Sequence, residues 1–313
     1  MKTLIKKNLY FNNTFDAEAH HNVSSKFMGN MGVNGGGASG GGPAAGTSDD
    51  IEYFNIGTTG NTLDWGGELL NSNLFNMGAG GDGHKGILSV GGGSTTDMEM
   101  ISFTTKGSVI DYGELSSTVN NGQGCSNGHR GMWYDGNAGP KANIYYVDFG
   151  SRGTAADFGG DRAAGYGGAC ASNGVRAVWQ GGHPASNDVI DYVNMGVSGA
   201  NSTDFGECVV DEHYKTGTSN GHRGVYMAGG ADDSMEYVTI GTTGVGIDFG
   251  DLHAQCVMPS VVSDGSRGVC INGFGTESPM KMDYINLGGP GGKTAFFGEA
   301  TRRAYSTSAM SGN

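Results

Sequence analysis

The chain has 313 residues and carries 61 glycines, well above the usual share of about 7%; with only six prolines and no Gly-X-Y period it is not collagen. Its net charge of −13 opposes contact with a phosphate backbone, so no nucleic-acid partner is expected. Five cysteines, an odd number without zinc-type spacing, read as reduced, partly buried thiols, and no stretch approaches the length of a membrane span.

Residues 1–23 form an N-terminal arm outside the pattern described below. Its Lys2, Lys6 and Lys7 contrast with the acidic body, and its apolar runs are too short for the core of a signal peptide. The arm either docks on a neighbour or is a solvated tail that includes His20 and His21. From residue 24 to 313 an internal repeat dominates. Its first piece, Lys26 to Gly32, is followed by a Gly-rich insertion over 33–50. The insertion lengthens the path from Lys26 to Tyr53 to 27 residues, against 14 to 17 in later units. Gly36, Gly37, Ser39, Gly42 and Pro43 are candidates for a contact loop; plain linker slack is the alternative.

The repeat is marked by Tyr53, Met100, Tyr146, Tyr192, Tyr237 and Tyr284, spaced 45 to 47 residues apart within strand-like runs. Seven residues after each anchor stands a glycine, from Gly60 to Gly291, which suggests a hairpin tip needing positive φ. An aromatic residue before glycine follows in every unit: Trp65, Tyr112, Phe158, Phe205, Phe249 and Phe297. Asp64, Asp111, Asp157, Asp204 and Asp248 precede the first five of these. Next come Asp82-Gly83, Asn127-Gly128, Asn173-Gly174, Asn220-Gly221 and Asp264-Gly265, a pattern that predicts type I′ hairpins. A basic residue stands two positions after each of those glycines: Lys85, Arg130, Arg176, Arg223 and Arg267, with Lys26 as the sixth.

Each unit therefore predicts four short antiparallel strands, and six such sheets arranged radially bury one another's faces. The C-terminus (about 304–311) supplies the first strand of a composite blade, and the N-terminal run (about 26–33) supplies its second. This closes the ring without a disulfide. The aromatic and the tyrosine anchor of each blade are expected to pack on the next blade, and the repeated aspartates and basic residues to pair within or between blades.

An apolar run ending in a glycine doublet (Gly91-Gly92, Gly181-Gly182, Gly229-Gly230), then Tyr, then Trp or Phe, resembles the kelch repeat. The resemblance implies an all-β, six-bladed kelch-like β-propeller that binds partners through loops on one face. Segments such as SNGHRGVYMAGG, YVTIGTTG and IDFGDL resemble repeats in structural and tail-fibre proteins of tailed-phage virions. That resemblance implies a non-catalytic, virion-borne module, made in the host cytoplasm, for receptor binding, adhesion or decoration. Its partners would be other virion proteins, a further copy of the chain, or a host surface glycan or protein. A cytoplasmic interaction scaffold, a sugar-binding lectin and, more weakly, a propeller enzyme are the alternatives.

No catalytic, cofactor or metal residue is expected. Asp-Phe-Gly at 157, 204 and 248 recurs with the blade period and lacks the other kinase elements. The run from Gly288 to Thr294 lacks the first glycine of a phosphate loop. His84, His129 and His222 share one repeat position as turn-flanking surface residues. For the enzyme alternative, Asp211, Glu212 and Glu299 are the acids to test.

Overall fold

The computed structural model describes residues 29–37, 48–71, 78–89, 96–118, 123–134, 143–162, 167–182, 188–230, 232–271, 273–275, 280–302 and 307–312. The arm (1–23), Lys26, Ser39, Gly42, Pro43 and the doublet Gly91-Gly92 lie outside these residues.

The strands follow the repeat. β1 (Met31–Gly35), β2 (Asp50–Asn55) and β3 (Leu63–Glu68) belong to blade 1. Blade 2 holds β4 (Ala79–Gly81), β5 (Lys85–Ser89), β6 (Asp97–Ser102) and β7 (Val109–Glu114). Blade 3 holds β8 (Gly124–Ser126), β9 (Arg130–Tyr134), β10 (Asn143–Asp148) and β11 (Ala156–Asp161). Blade 4 holds β12 (Ala169–Ser172), β13 (Arg176–Gln180), β14 (Val189–Asn194) and β15 (Thr203–Glu207). Blade 5 holds β16 (Thr216–Ser219), β17 (Arg223–Gly229), β18 (Asp232–Thr239) and a long β19 (Ile247–Val257). Blade 6 begins with β20 (Ser260–Ser263) and β21 (Arg267–Ile271). The short β22 (Phe274–Gly275) then pairs back onto β19, after which β23 (Lys281–Asn286) and β24 (Ala295–Glu299) complete blade 6. The final strand, β25 (Ser308–Gly312), returns to blade 1, whose sheet order is β25-β1-β2-β3.

The fold is thus a six-bladed β-propeller, all-β with four antiparallel strands per blade, and its last seam is the predicted composite sheet. Val33 pairs with Met310 on one side and Tyr53 on the other. The seam strands start later than the sequence suggests, at Met31 and Ser308. The inner strands β25, β4, β8, β12, β16 and β20 touch in turn around the axis.

The core is divided among the blade interfaces. The cluster between blades 1 and 2 joins Val33, Ile51, Trp65 and Met310 to Leu88, Ile101 and Phe103. Between blades 6 and 1, Phe297, Met282 and Val269 meet Phe54 and Ile56. The repeated aromatics sit in these seams, each at most 3% exposed. The half-buried tyrosine anchor touches its own blade's aromatic edge-on, as in Tyr192–Phe205, with ring centroids 5.9 Å apart at 84°. Edge-to-face pairs of this kind add about 0.5–1.5 kcal/mol beyond burial.

The glycine rows have a shared cause. The outer strand of one blade lies against the hairpin tip of the next with backbone touching backbone. Gly153 N–H donates to the Tyr112 carbonyl and Gly244 N–H to that of Phe205. A Cβ on Gly113 (φ +143°) would lie 2.3 Å from the Gly153 carbonyl oxygen. The hairpin-tip glycines 107, 153, 199 and 291 have positive φ, whereas Gly60 and Gly244 do not.

The Asx-Gly hairpins differ from the type I′ expectation. Their loops run Asp82–His84, Asn127–His129, Asn173–Val175, Asn220–His222 and Asp264–Ser266, and only the glycine has positive φ. The Asx side chain takes over the turn: Asn220 Oδ1 accepts from the N–H groups of His222 (3.0 Å) and Arg223 (2.7 Å). Asp and Asn favour such turns because their short side chains reach their own backbone.

Gly113→Ala should destabilise the protein by roughly 1–3 kcal/mol, from left-handed strain and the Gly153 clash, read as a lowered urea midpoint. Truncation after Arg302 removes β25 and leaves the β1 edge open. The shortened protein should melt lower and self-associate in sedimentation; an unchanged monomer with an unchanged melting curve would refute closure by strand pairing.

Candidate functional site

One repeat position organises the loop face. Immediately before the anchor stand Glu52, Glu99, Tyr145, Asp191, Glu236 and Asp283, each at most 5% exposed. A buried carboxylate without partners is costly. Here the partners come from the crossover that links the preceding blade to the next. Glu99 accepts from the backbone N–H groups of Leu70 (2.9 Å) and Asn71 (3.1 Å). Asp191 pairs with Arg162 at 3.0 Å, and Glu236 takes Val209 N–H (2.7 Å) and Lys215 Nζ (2.8 Å). Asp283 accepts from His253 N–H at 3.3 Å. Glu52 closes the ring through the Thr301 hydroxyl and Arg302. Burial raises the Glu99 carboxyl above its ordinary range despite its donors. The sequence reading missed this row, although an acid before the anchor in five of six units was a readable signal.

The repeated aspartates do something more local. Asp64, Asp157 and Asp248 are exposed, and each Oδ1 accepts from the N–H two residues on, at 2.7 to 2.9 Å. The expected pairing with the basic residues is therefore corrected. Arg176, Arg223 and Arg267 instead stack over their own blade's Tyr192, Tyr237 and Tyr284, 4.4 Å from each ring centroid. They then donate to carbonyls of the next blade, Arg267 reaching Ile56 across the closing seam. Arg130 lies 4.0 Å over Tyr146, donates to the Met195 carbonyl and also meets Asp148 at 3.0 Å. Lys85 reaches the Phe149 carbonyl. In blade 1, Lys106 covers Tyr53 at 3.4 Å. Asp111 and Asp204 are exposed at the same outer-strand position.

His84, His129 and His222 are exposed on the Asx turns, away from the crossovers. Among the described residues no group of three or more His, Cys, Asp or Glu side chains could hold a metal ion. The run around Gly291-Gly292 is a hairpin tip, with Gly292 N–H bonded to the Phe249 carbonyl. Gly36 and Gly37 leave β1 with φ of +65° and +103°.

The crossover from blade 4 to blade 5 concentrates polar chemistry. Glu212 and His213 sit against the doublet Gly229-Gly230, where a Cβ on Gly230 would strike the Glu212 carboxylate. Glu212 Oε2 is 3.8 Å from His213 Nδ1. The imidazole faces the Tyr214 ring with centroids 4.6 Å apart. Tyr214 holds φ +60°, one of two non-glycine residues described with positive φ, the other being Met258. Below it lie the Lys215–Glu236 pair and Cys208, whose thiol is pushed up to about 11 by burial. Asp211 and Glu299 are exposed. Of the three acids singled out from the sequence, Glu212 stands beside an imidazole.

The axial channel has a free volume of about 90 Å³. Its wall includes Ser126, Ser172, Ser219, Ser263 and Ser311, together with Cys125, Cys170, Val262 and Met310. Ser126 Oγ donates to the Gly81 carbonyl at 3.0 Å and Ser263 Oγ to that of Ser219 at 3.2 Å, tying neighbouring inner strands together.

No family model matches the chain, and no curated protein matches it. Among solved structures it is similar to a fungal alcohol oxidase of the AA5 family in complex with copper. The TM-score is 0.55 at 12% identity, over 90% of this chain but only 65% of that structure's chain. At this identity the likeness carries the fold. The finding corrects the expectation of a non-catalytic, virion-borne module: the structural likeness is to an enzyme, and neither the kelch nor the phage resemblance gains support from the comparisons. Among the described residues the axial donors are thiols, a thioether and hydroxyls, without an imidazole. They do not match a copper oxidase centre, which needs converging nitrogen and oxygen ligands.

Lys215→Met should leave Glu236 buried without its cation and cost roughly 3–5 kcal/mol in urea unfolding. The double variant Lys215→Met/Glu236→Leu should recover most of that loss.

Proposed function

We propose that this chain is an enzyme whose site lies on the crossover face and acts on a neutral, hydroxyl-bearing small molecule, with His213 as its acid–base group. The observation that carries this is Tyr214, held at φ +60° beside His213 and Glu212. A non-glycine residue in the left-handed region costs about 1–3 kcal/mol, and such strain concentrates at functional sites. An imidazole beside a carboxylate is suited to moving a proton to or from a hydroxyl. The Glu212 carboxylate stands 3.8 Å from Nδ1, and the Tyr214 ring packs tilted against the imidazole. Two further facts support the substrate class. A net charge of −13 opposes anionic ligands. The structural neighbour is described as an alcohol oxidase, and so acts on hydroxyl compounds.

The test is a turnover screen of the intact protein against neutral monosaccharides, oligosaccharides, polyols and primary alcohols, read by mass spectrometry. At least one compound should be converted. His213→Ala should lower that rate by roughly 10²–10⁴-fold without shifting the melting temperature. Undiminished turnover in His213→Ala, or no conversion across the screen, would overturn the assignment.

A further inference from the structure

Four of the five cysteines meet in two pairs, and both pairs straddle blade seams. Cys125 on β8 (blade 3) packs against the cluster that holds Cys170 on the adjacent inner strand β12 (blade 4). Cys256 on β19 (blade 5) and Cys270 on β21 (blade 6) lie in one buried cluster. The environments differ. Cys125 and Cys170 both line the axial channel, and Cys125 is half-buried. Cys256 and Cys270 are buried at 2% and 1% exposure inside an apolar cluster with Phe249, Leu252 and Val261. Cys208 lies in a third cluster, with Phe205 and Tyr226.

We propose that Cys125 and Cys170 form an oxidisable dithiol in the channel wall, which a small peroxide entering the channel converts to a disulfide that staples blade 3 to blade 4. The proposal is independent of the acid–base site. Cys125, the more accessible sulfur, attacks hydrogen peroxide as its thiolate. The O–O bond breaks, and a sulfenic acid and water form. Cys170 then gives up its proton and displaces the sulfenic oxygen as a second water, making the S–S bond. Two thiols and one peroxide become one disulfide and two waters. Burial and the neighbouring thiol raise Cys170, which makes it the poorer peroxide nucleophile and leaves the first attack to Cys125. The pair at Cys256 and Cys270 also spans a seam but lies away from the channel lining, and so serves as an internal control for access.

Hydrogen peroxide is added to the folded, reduced protein, free thiols are blocked at intervals, and peptides are mapped without reduction. The Cys125–Cys170 linked peptide should accumulate about tenfold or more faster than Cys256–Cys270. The oxidised protein should melt higher than the reduced one, with a shift that Cys125→Ser abolishes. In Cys170→Ser, a dimedone-type probe should trap sulfenic acid at Cys125. The proposal is overturned if Cys256–Cys270 links first, if no Cys125–Cys170 peptide forms while the protein stays folded, or if Cys125→Ser leaves the melting shift intact.

Discussion

A carboxylate buried one residue before the anchor in five of the six blades is the interaction on which the loop face depends. Glu52, Glu99, Asp191, Glu236 and Asp283 could not remain where they are without donors, since desolvating a lone carboxylate costs several kcal/mol. The donors arrive from the preceding blade's crossover, as backbone N–H groups or as the side chains of Arg162, Lys215, Thr301 and Arg302. Five of the six blades therefore pin the segment that delivers them. On the opposite face the arginines do the complementary task, stacking on their own tyrosine and reaching a carbonyl of the next blade. Between the two faces, apolar clusters fill every seam. The ring is held by contacts between blades, and one blade alone would expose both faces of its sheet.

That arrangement also places the candidate site. A crossover tied down at Lys215 and Val209 can hold Tyr214 in a strained backbone conformation, because the strain is opposed by well-bonded neighbours on both sides. The glycine doublet at 229–230 gives room for Glu212 to lie over it. Similarity to an alcohol oxidase at 12% identity speaks to this scaffold, and the proposed chemistry rests on the crossover's own residues.

The register of the repeat made the fold legible. Fixed offsets from anchor to glycine and from aromatic to glycine, with a basic residue at each end of the chain's count, led to six blades and the composite seam. What stayed hidden was which way a repeated polar residue faces. Asp64 and its equivalents drew attention because they recur beside an aromatic, yet they cap their own bulge two residues on; the acids before the anchor, equally periodic, carry the structure. Asp-Gly and Asn-Gly marked the hairpins correctly, but the Asx side chain replaced the positive φ that a type I′ turn requires. The Glu212–Tyr214 cluster occurs once, so no periodic signal could reveal it. The 45-residue separation of Cys125 and Cys170, one repeat, did foreshadow their meeting on adjacent inner strands.

Amide hydrogen exchange across the crossovers tests the clamp most directly. Leu70, Asn71 and Val209 lie outside regular ladders and His253 in a bulge of β19, yet each donates its N–H to a buried carboxylate. Their amides should exchange as slowly as those of the inner strands, and the Leu70 and Asn71 protection should vanish in Glu99→Ala. Exchange at the rate of open loops in the native protein would contradict the account, because the buried carboxylates would then not be holding the crossovers.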